Sequence, residues 1–90
     1  MDWETVSYVF SSELRFKVLV ALRKSKLTPS QLARGLSQPM SHVSKALSEL
    51  SDKELVVCLT PSRKKGRFYE ITKDGEKVLD EISKITRGTK

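Results

Sequence analysis

Cysteine and histidine are almost missing from this sequence of 90 residues, which contains one of each. Cys58 has no partner for an internal disulfide, so we expect it to be a small core residue. Cys58 and His42 together are too few ligands for a tetrahedral metal site. A glycine-rich phosphate loop is also missing, and no motif pairs the histidine with a nucleophile. We therefore expect no cofactor, no metal and no enzymatic activity.

Long apolar segments are missing as well. No uninterrupted apolar run approaches the roughly 20 residues that span a bilayer, and no charged and then apolar leader opens the chain. We therefore expect no membrane contact and a cytoplasmic protein. Ninety residues with 38% apolar content fit a single domain over 1–90, small enough that association with a second copy would stabilise it.

Positive charge is present in excess, and its position is informative. The formal net charge is +6 at pH 7. Residues 23–36 carry four basic and no acidic side chains, and residues 61–67 carry another four and none, while the other segments are close to neutral. Two such blocks favour a polyanionic partner.

Two short helices, 28–36 and 39–50, are predicted in the middle of the chain. Thr28 and Gln31 form a capping-box pattern, in which each side chain satisfies the other residue's backbone N–H. Pro29 suits the first helical position, where no N–H is needed. Because only two residues separate the helices, they must cross steeply as a helix-turn-helix.

The exposed face of the second helix follows from its rotation of 100° per residue. Its inward face is apolar: Val43, Ala46, Leu47 and Leu50. The residues opposite or beside that face are small or polar: Ser41, Lys45, Ser48, His42 and Ser44. Slim side chains that form hydrogen bonds suit a helix that enters a DNA major groove roughly 12 Å wide. The alternative is a solvated helix face, which usually carries more Glu and Lys pairs.

The rest of the chain predicts helices at both ends and one β-hairpin. Serines at 11–12 cap the second helix, and two runs rich in β-branched and aromatic residues read as strands. The predicted elements are helices over 3–10 and 13–24, strands over 56–60 and 68–72, a last helix capped by Thr72, and a frayed tail over 86–90.

The loop of this hairpin concentrates positive charge at Arg63, Lys64, Lys65 and Arg67. Mutual repulsion disfavours such a loop unless an anion compensates it, as a phosphate backbone or a minor groove would. The alternative is a solubilising turn that discourages aggregation at a sheet edge. Its position one hairpin beyond the exposed helix face favours nucleic-acid binding.

Both the order of elements and a set of residues are typical of one family. These residues are Leu32, Ala33, Val43, Leu47, Leu50, Leu55, Val56, Gly66, Arg67, Tyr69 and the run Ile71-Thr72-Lys73-Asp74-Gly75. Over about 12–82 the chain resembles the winged helix-turn-helix transcriptional regulators of the ArsR/MarR-like superfamily, particularly small archaeal and bacterial members. The resemblance implies an α+β, mainly helical fold with a two-stranded wing and flanking N- and C-terminal helices.

The same resemblance assigns roles to residues. It implies a regulator that binds double-stranded DNA, and we expect a nucleoid-associated repressor that occupies a promoter. Gln38 and Lys45 are candidates for base contacts, while Thr28 and Ser30 would offer hydroxyl and backbone N–H groups to phosphate. The wing would be Arg63, Lys64, Lys65 and Arg67. The predicted contacts of the recognition helix are Gln38, Met40, Ser41, His42, Ser44, Lys45 and Ser48.

The sequence departs from this family at two places. The Cys-rich metal-sensing motif of many ArsR repressors is absent from the recognition helix, so metal control is not implied. Glu54 stands where such proteins usually have glycine. A left-handed backbone there would cost about 1–2 kcal/mol, so we expect this helix end to be built differently.

Apolar residues of the terminal helices predict a twofold homodimer, because they exceed what a thin helical core would cover. Such a dimer would read half-sites about 10 base pairs apart, or a multiple of that, in a near-palindromic operator. The alternative is packing within their own domain, which for Val78 and Ile82 is an equal expectation. The predicted interface is Trp3, Val6, Phe10, Val78, Leu79, Ile82 and Ile85.

Two other functions stay open. A protein-interaction module is favoured by the weak basic character of the exposed helix, where Lys45 is the only lysine or arginine before Asp52 and lies close to Glu49. Binding to structured RNA is less favoured, because that helix has no aromatic residue to stack on unpaired bases.

Overall fold

The computed structural model describes residues 3–62 and 66–88, with side chains as far as Ile85. It confirms the predicted order of elements and the mainly helical winged helix-turn-helix fold. The helices and strands are α1 (Trp3–Phe10), α2 (Glu13–Lys24), α3 (Pro29–Leu36), α4 (Met40–Asp52), β1 (Val56–Cys58), β2 (Tyr69–Ile71) and α5 (Lys73–Gly88).

Helices α2 and α3 begin at the caps that the sequence predicts. The Ser12 hydroxyl accepts a hydrogen bond from the Arg15 N–H at 3.3 Å. The Thr28 hydroxyl accepts from the Gln31 N–H at 3.1 Å, and the Gln31 side chain accepts from the Thr28 N–H at 2.9 Å. Each such cap contributes about 0.5–2 kcal/mol. Both predicted helix starts are therefore confirmed.

The turn between α3 and α4 depends on a left-handed serine. Ser37 ends α3 with φ 54 and ψ 47, and the Gln38 N–H donates to the Ala33 carbonyl at 3.0 Å. Pro39 is the residue before α4 rather than part of its first turn, because its ψ of 143 is extended. The second helix of the pair thus begins one residue later than predicted and ends two residues later.

The wing is an antiparallel hairpin in which Val56 lies opposite Ile71 and Cys58 lies opposite Tyr69. Its strands are shorter than predicted, although the Leu59 N–H still donates to the Phe68 carbonyl at 2.8 Å. On the other side of β2, Leu27 forms an isolated bridge with Tyr69. The sequence did not predict this bridge, because a single bridging residue produces no periodic pattern.

The core corrects part of the predicted dimer interface. Val6, Val78, Leu79 and Ile82 are buried within the chain itself, because α1 packs against α2 and α5. The buried stripe of α1 runs through Val6 and Val9, whereas Trp3 and Phe10 are exposed. From the predicted interface, only Trp3 at 64% and Phe10 at 52% are largely exposed, and Ile85 is partly buried.

The link from α4 to β1 is left-handed although glycine is missing there, so the expectation of a differently built helix end is wrong. Glu54 has φ 60, and its carbonyl accepts a hydrogen bond from the Thr72 hydroxyl at 2.8 Å. The Thr72 hydroxyl in turn accepts from the Gly75 N–H at 3.1 Å and so caps α5, as predicted. One residue therefore joins the start of the hairpin to the start of the last helix.

Helix α5 is longer than predicted. Its backbone is helical to Gly88, so residues 86–88 continue the helix that was expected to fray, since neither proline nor glycine interrupts residues 76–87. Cys58 is half-buried rather than fully in the core. Among residues 3–62 and 66–88, none of the helices is both long and apolar enough to cross a membrane.

Candidate nucleic-acid interface

An open groove of about 590 Å³ brings three predicted parts of the site together. It lies where the N-terminus of α3, the first half of α4 and the base of the wing meet. The groove therefore joins both predicted phosphate contacts, two residues of the predicted recognition helix and one wing residue. Its lining residues are Thr28, Pro29, Ser30, Met40, Ser44, Leu47, Gly66, Arg67 and Tyr69.

The outward face of α4 matches the rotation predicted from the sequence. All four inward residues are buried, at 3% exposure or less. Ser41, Lys45 and Ser48 are exposed, and the Lys45 ammonium forms no ion pair with any residue that the structure describes. Helix α4 thus presents short side chains and a single lysine to the surroundings.

The remaining predicted contacts lie on two different sides of α4. Met40 and Ser44 line the groove beside the wing. His42 and Lys45 instead line a hollow of about 280 Å³ on the side of α2, together with Arg15 and Glu49. Gln38 is half-buried in the turn before the helix. The predicted contacts are therefore spread over both flanks rather than gathered in one groove.

The N-terminus of α3 has fewer groups available for phosphate than the sequence suggested. The Thr28 N–H already donates to the Gln31 side chain, and the Thr28 oxygen already accepts from the Gln31 N–H. Thr28 can therefore offer its O–H group, while its backbone N–H is occupied by the capping box. Ser30 is exposed and keeps both of the predicted groups close to the groove.

Of the wing residues, Arg67 is exposed at the base of the hairpin and lines the groove. Arg63, Lys64 and Lys65 lie outside the described residues. The outer face of β1 is apolar, since Val57 is 43% and Leu59 is 40% exposed. The described part of the wing thus combines one cation beside α4 with an outer face on which the apolar Val57 lies opposite Glu70.

The first basic block is partly neutralised by acidic residues that are distant in the sequence. Arg23 pairs with Asp80 at 2.6 Å, and Lys26 lies 3.9 Å from Glu70. Lys24 and Arg34 are exposed and form no ion pair within the described ranges. Exposed pairs are worth little individually, but they reduce the charge that this block offers to a polyanion.

A cluster that the sequence did not predict lies on the side of α4 that faces α2. The Arg15 side chain, only 15% exposed, is 3.4 Å from the Glu49 carboxylate. Its guanidinium also donates to the Tyr8 carbonyl at 3.0 Å and stacks 3.8 Å from the centre of the Tyr8 ring. These contacts join three helices, so no local pattern could indicate them.

Known proteins resemble this chain both in sequence and in fold. The family model described as "Methanogenesis regulatory protein FilR1, N-terminal domain" matches residues 3–85. No curated protein sequence matches the chain. The crystal structure of the adhesin competence repressor AdcR from Streptococcus pyogenes is similar with a TM-score of 0.72 and 19% identity. The similarity covers 87% of this chain but 59% of that chain, and at this identity it shows the fold alone.

Proposed function

The chain belongs to the family of the N-terminal domain of the regulatory protein FilR1, and from that premise we propose that it binds double-stranded DNA in a sequence-specific manner. It is a winged-helix transcription regulator. The proposed finer assignment is an ArsR/MarR-like repressor that blocks a promoter by occupying it. Its place of action would be the cytoplasm, at the nucleoid.

The observation that carries this proposal is the groove shared by α3, α4 and the wing. A helix enters a major groove only if its outer face is slim, and the outward face of α4 consists mainly of serines. Contacts on either side of such a helix hold it in register on the phosphate backbone. The α3 N-terminus and Arg67 occupy these positions on one side.

The proposed roles follow from this arrangement. Lys45 and Gln38 would contact base edges, and the Thr28 O–H and Ser30 would contact phosphate. The wing residues Arg63, Lys64, Lys65 and Arg67 would contact phosphate or the minor groove. Further contacts to bases or phosphates would come from the other exposed residues of α4: Met40, Ser41, His42, Ser44 and Ser48.

We further propose a homodimer formed through α1. The exposed Trp3 and Phe10 are the largest apolar side chains on this face, and a hollow of about 290 Å³ next to Phe10 is lined by Phe16, Val20 and Leu79. Ile85 lies partly buried on α5, the helix against which α1 packs. Two recognition helices related by a twofold axis would require a near-palindromic operator.

The decisive experiment is selection of bound fragments from a random duplex library at near-physiological salt. We expect an enriched, near-palindromic sequence, and a log K against log salt slope of roughly −5 to −7 if about 5–8 phosphates are contacted. Lys45→Ala should lower discrimination at one base position by about 1–3 kcal/mol. Equal losses of affinity on specific and random duplexes would show that Lys45 contacts only the DNA phosphate backbone. No enriched sequence at all would refute sequence-specific DNA binding.

A protein-interaction module is the second candidate. It is favoured by the exposed Val57 and Leu59 on the outer face of the wing, and by the single basic side chain between Met40 and Asp52. Library selection separates the two functions, because a module that binds protein would enrich no duplex sequence.

A further inference from the structure

We propose that Arg15 is a positioning residue for DNA binding, because it neutralises the Glu49 carboxylate and holds it against α2, beside the predicted DNA contacts His42 and Lys45. This inference rests on the proposed function, since it concerns the charge that α4 presents to phosphate. Arg15 itself lies on α2 and is largely buried, so its effect would pass through Glu49.

Three contacts fix the Arg15 guanidinium in place. Its Nη1 donates to the Tyr8 carbonyl at 3.0 Å, near the end of α1 where helix carbonyls lack intrahelical partners. Its plane stacks on the Tyr8 ring, with Cζ 3.8 Å from the ring centre. These two contacts leave Nε directed at the Glu49 Oε1, 3.4 Å away. The position of the guanidinium is therefore set by α1, and the position of Glu49 is set by the guanidinium.

Glu49 needs such a partner because of its position on α4. Lys45 and Lys53 are four residues before and after it, the spacing at which Glu and Lys side chains pair on a helix. Neither forms an ion pair with Glu49 in the structure: Lys53 lies 5.2 Å from the centre of the Tyr8 ring, and Lys45 is exposed. By binding Glu49, Arg15 leaves Lys45 available to a polyanion. It also neutralises an acidic side chain close to the surface that the polyanion would contact.

The test uses Arg15→Met, Glu49→Gln and the double variant, with binding measured on the selected duplex. We expect Arg15→Met to weaken binding about tenfold, since a released carboxylate would repel phosphate or capture Lys45. The double variant should return to within about threefold of the original affinity. Lys17→Met is the matched control, because it breaks an exposed pair with Glu13 on the same helix and removes the same charge.

Rescue separates this role from a structural one. If Arg15 only supported the packing of α1 and α2, Glu49→Gln would restore nothing, and the double variant would bind no better than Arg15→Met. That result would overturn the inference, as would unchanged binding by Arg15→Met. Thermal unfolding of each variant at equal concentration shows whether lost binding follows lost stability.

A second measurement requires no DNA. The Arg15 Nε–H resonance in a ¹⁵N NMR spectrum should shift, and its exchange with water should accelerate, in Glu49→Gln. An unchanged resonance would show that the pair does not exist in solution, and would overturn the inference directly. Failure of the original chain to bind any duplex, with this resonance responding as expected, would instead refute the proposed function and leave the pair itself established.

Discussion

Glu54 is held in a backbone conformation that glycine adopts more easily, so Glu54→Gly should stabilise the fold. Its φ is 60, in the left-handed region. A side chain with a Cβ costs about 1–2 kcal/mol there, while glycine costs roughly 0.5–1 kcal/mol through the greater freedom of the unfolded chain. The difference predicts a net gain of about 0.5–1 kcal/mol in the free energy of unfolding.

The substitution leaves the local hydrogen bonds intact, because both involve backbone atoms of residue 54. Its carbonyl accepts from the Thr72 hydroxyl, and its N–H donates to the Ser51 carbonyl at 2.9 Å. The side chain is exposed and pairs with no described cation. Conformation alone should therefore decide the outcome.

Urea denaturation followed by circular dichroism at fixed protein concentration measures the effect. Glu54→Ala is the matched control, because it removes the same charge but keeps the Cβ and hence the left-handed cost. We expect the free energy of unfolding of Glu54→Gly to exceed that of Glu54→Ala by about 0.5–1 kcal/mol. Equal stability of the two variants would refute the argument from backbone strain and attribute any gain to the lost charge.

Three further predictions concern other parts of the chain. Gly75→Ala should lower the free energy of unfolding by about 1–3 kcal/mol, because a Cβ there would clash with the Leu55 carbonyl oxygen and lie 2.6 Å from the Ile71 Cγ1. Denaturation with an unchanged midpoint would contradict this. The Lys17 ammonium lowers the pKa of Glu13 from 4.5, first through its hydrogen bond and then through its charge. The contribution of this pair to stability is therefore present above that value and is lost as the pH falls through the folded-state pKa. Lys17→Met should return the Glu13 pKa to its ordinary value in an NMR titration, and an unchanged low pKa would refute this cause. Trp3→Ser should weaken the proposed dimer about tenfold or more in sedimentation, whereas a monomer at high micromolar concentration before substitution would exclude this dimer.

Helix starts and the order of elements could be predicted from the sequence because their signals are local. The capping box of Thr28 and Gln31 lies within four residues, and both of its hydrogen bonds are present. The inward face of α4 was equally predictable, since helical rotation alone places Val43 and Leu47 on one side. The left-handed Glu54 was not predicted, because the missing glycine suggested a different helix end.

The parts that could not be predicted depend on contacts between distant segments. The bridge from Leu27 to Tyr69 joins residues on either side of the helix-turn-helix, and Arg15 reaches Glu49 across 34 positions of sequence. The prediction that Val6 belongs to a dimer interface was wrong for the same reason. Apolar spacing identified a helix, but only its contact with α5 decides that Val9 is inside and Trp3 is outside.

The distribution of charge around α4 separates binding strength from sequence reading, under the proposed function. Phosphate contacts supply most of the affinity of such proteins, and base contacts supply the specificity. The exposed face of α4 has one lysine, and its serines carry no charge, so this face would contribute little to affinity. The basic wing and the α3 N-terminus would supply most of the affinity. The angle between these surfaces is fixed by the two-residue turn at Ser37, which is left-handed without being glycine. Substitutions on α4 should therefore change which sequence is bound more than how steeply binding depends on salt, and substitutions in the wing should do the reverse.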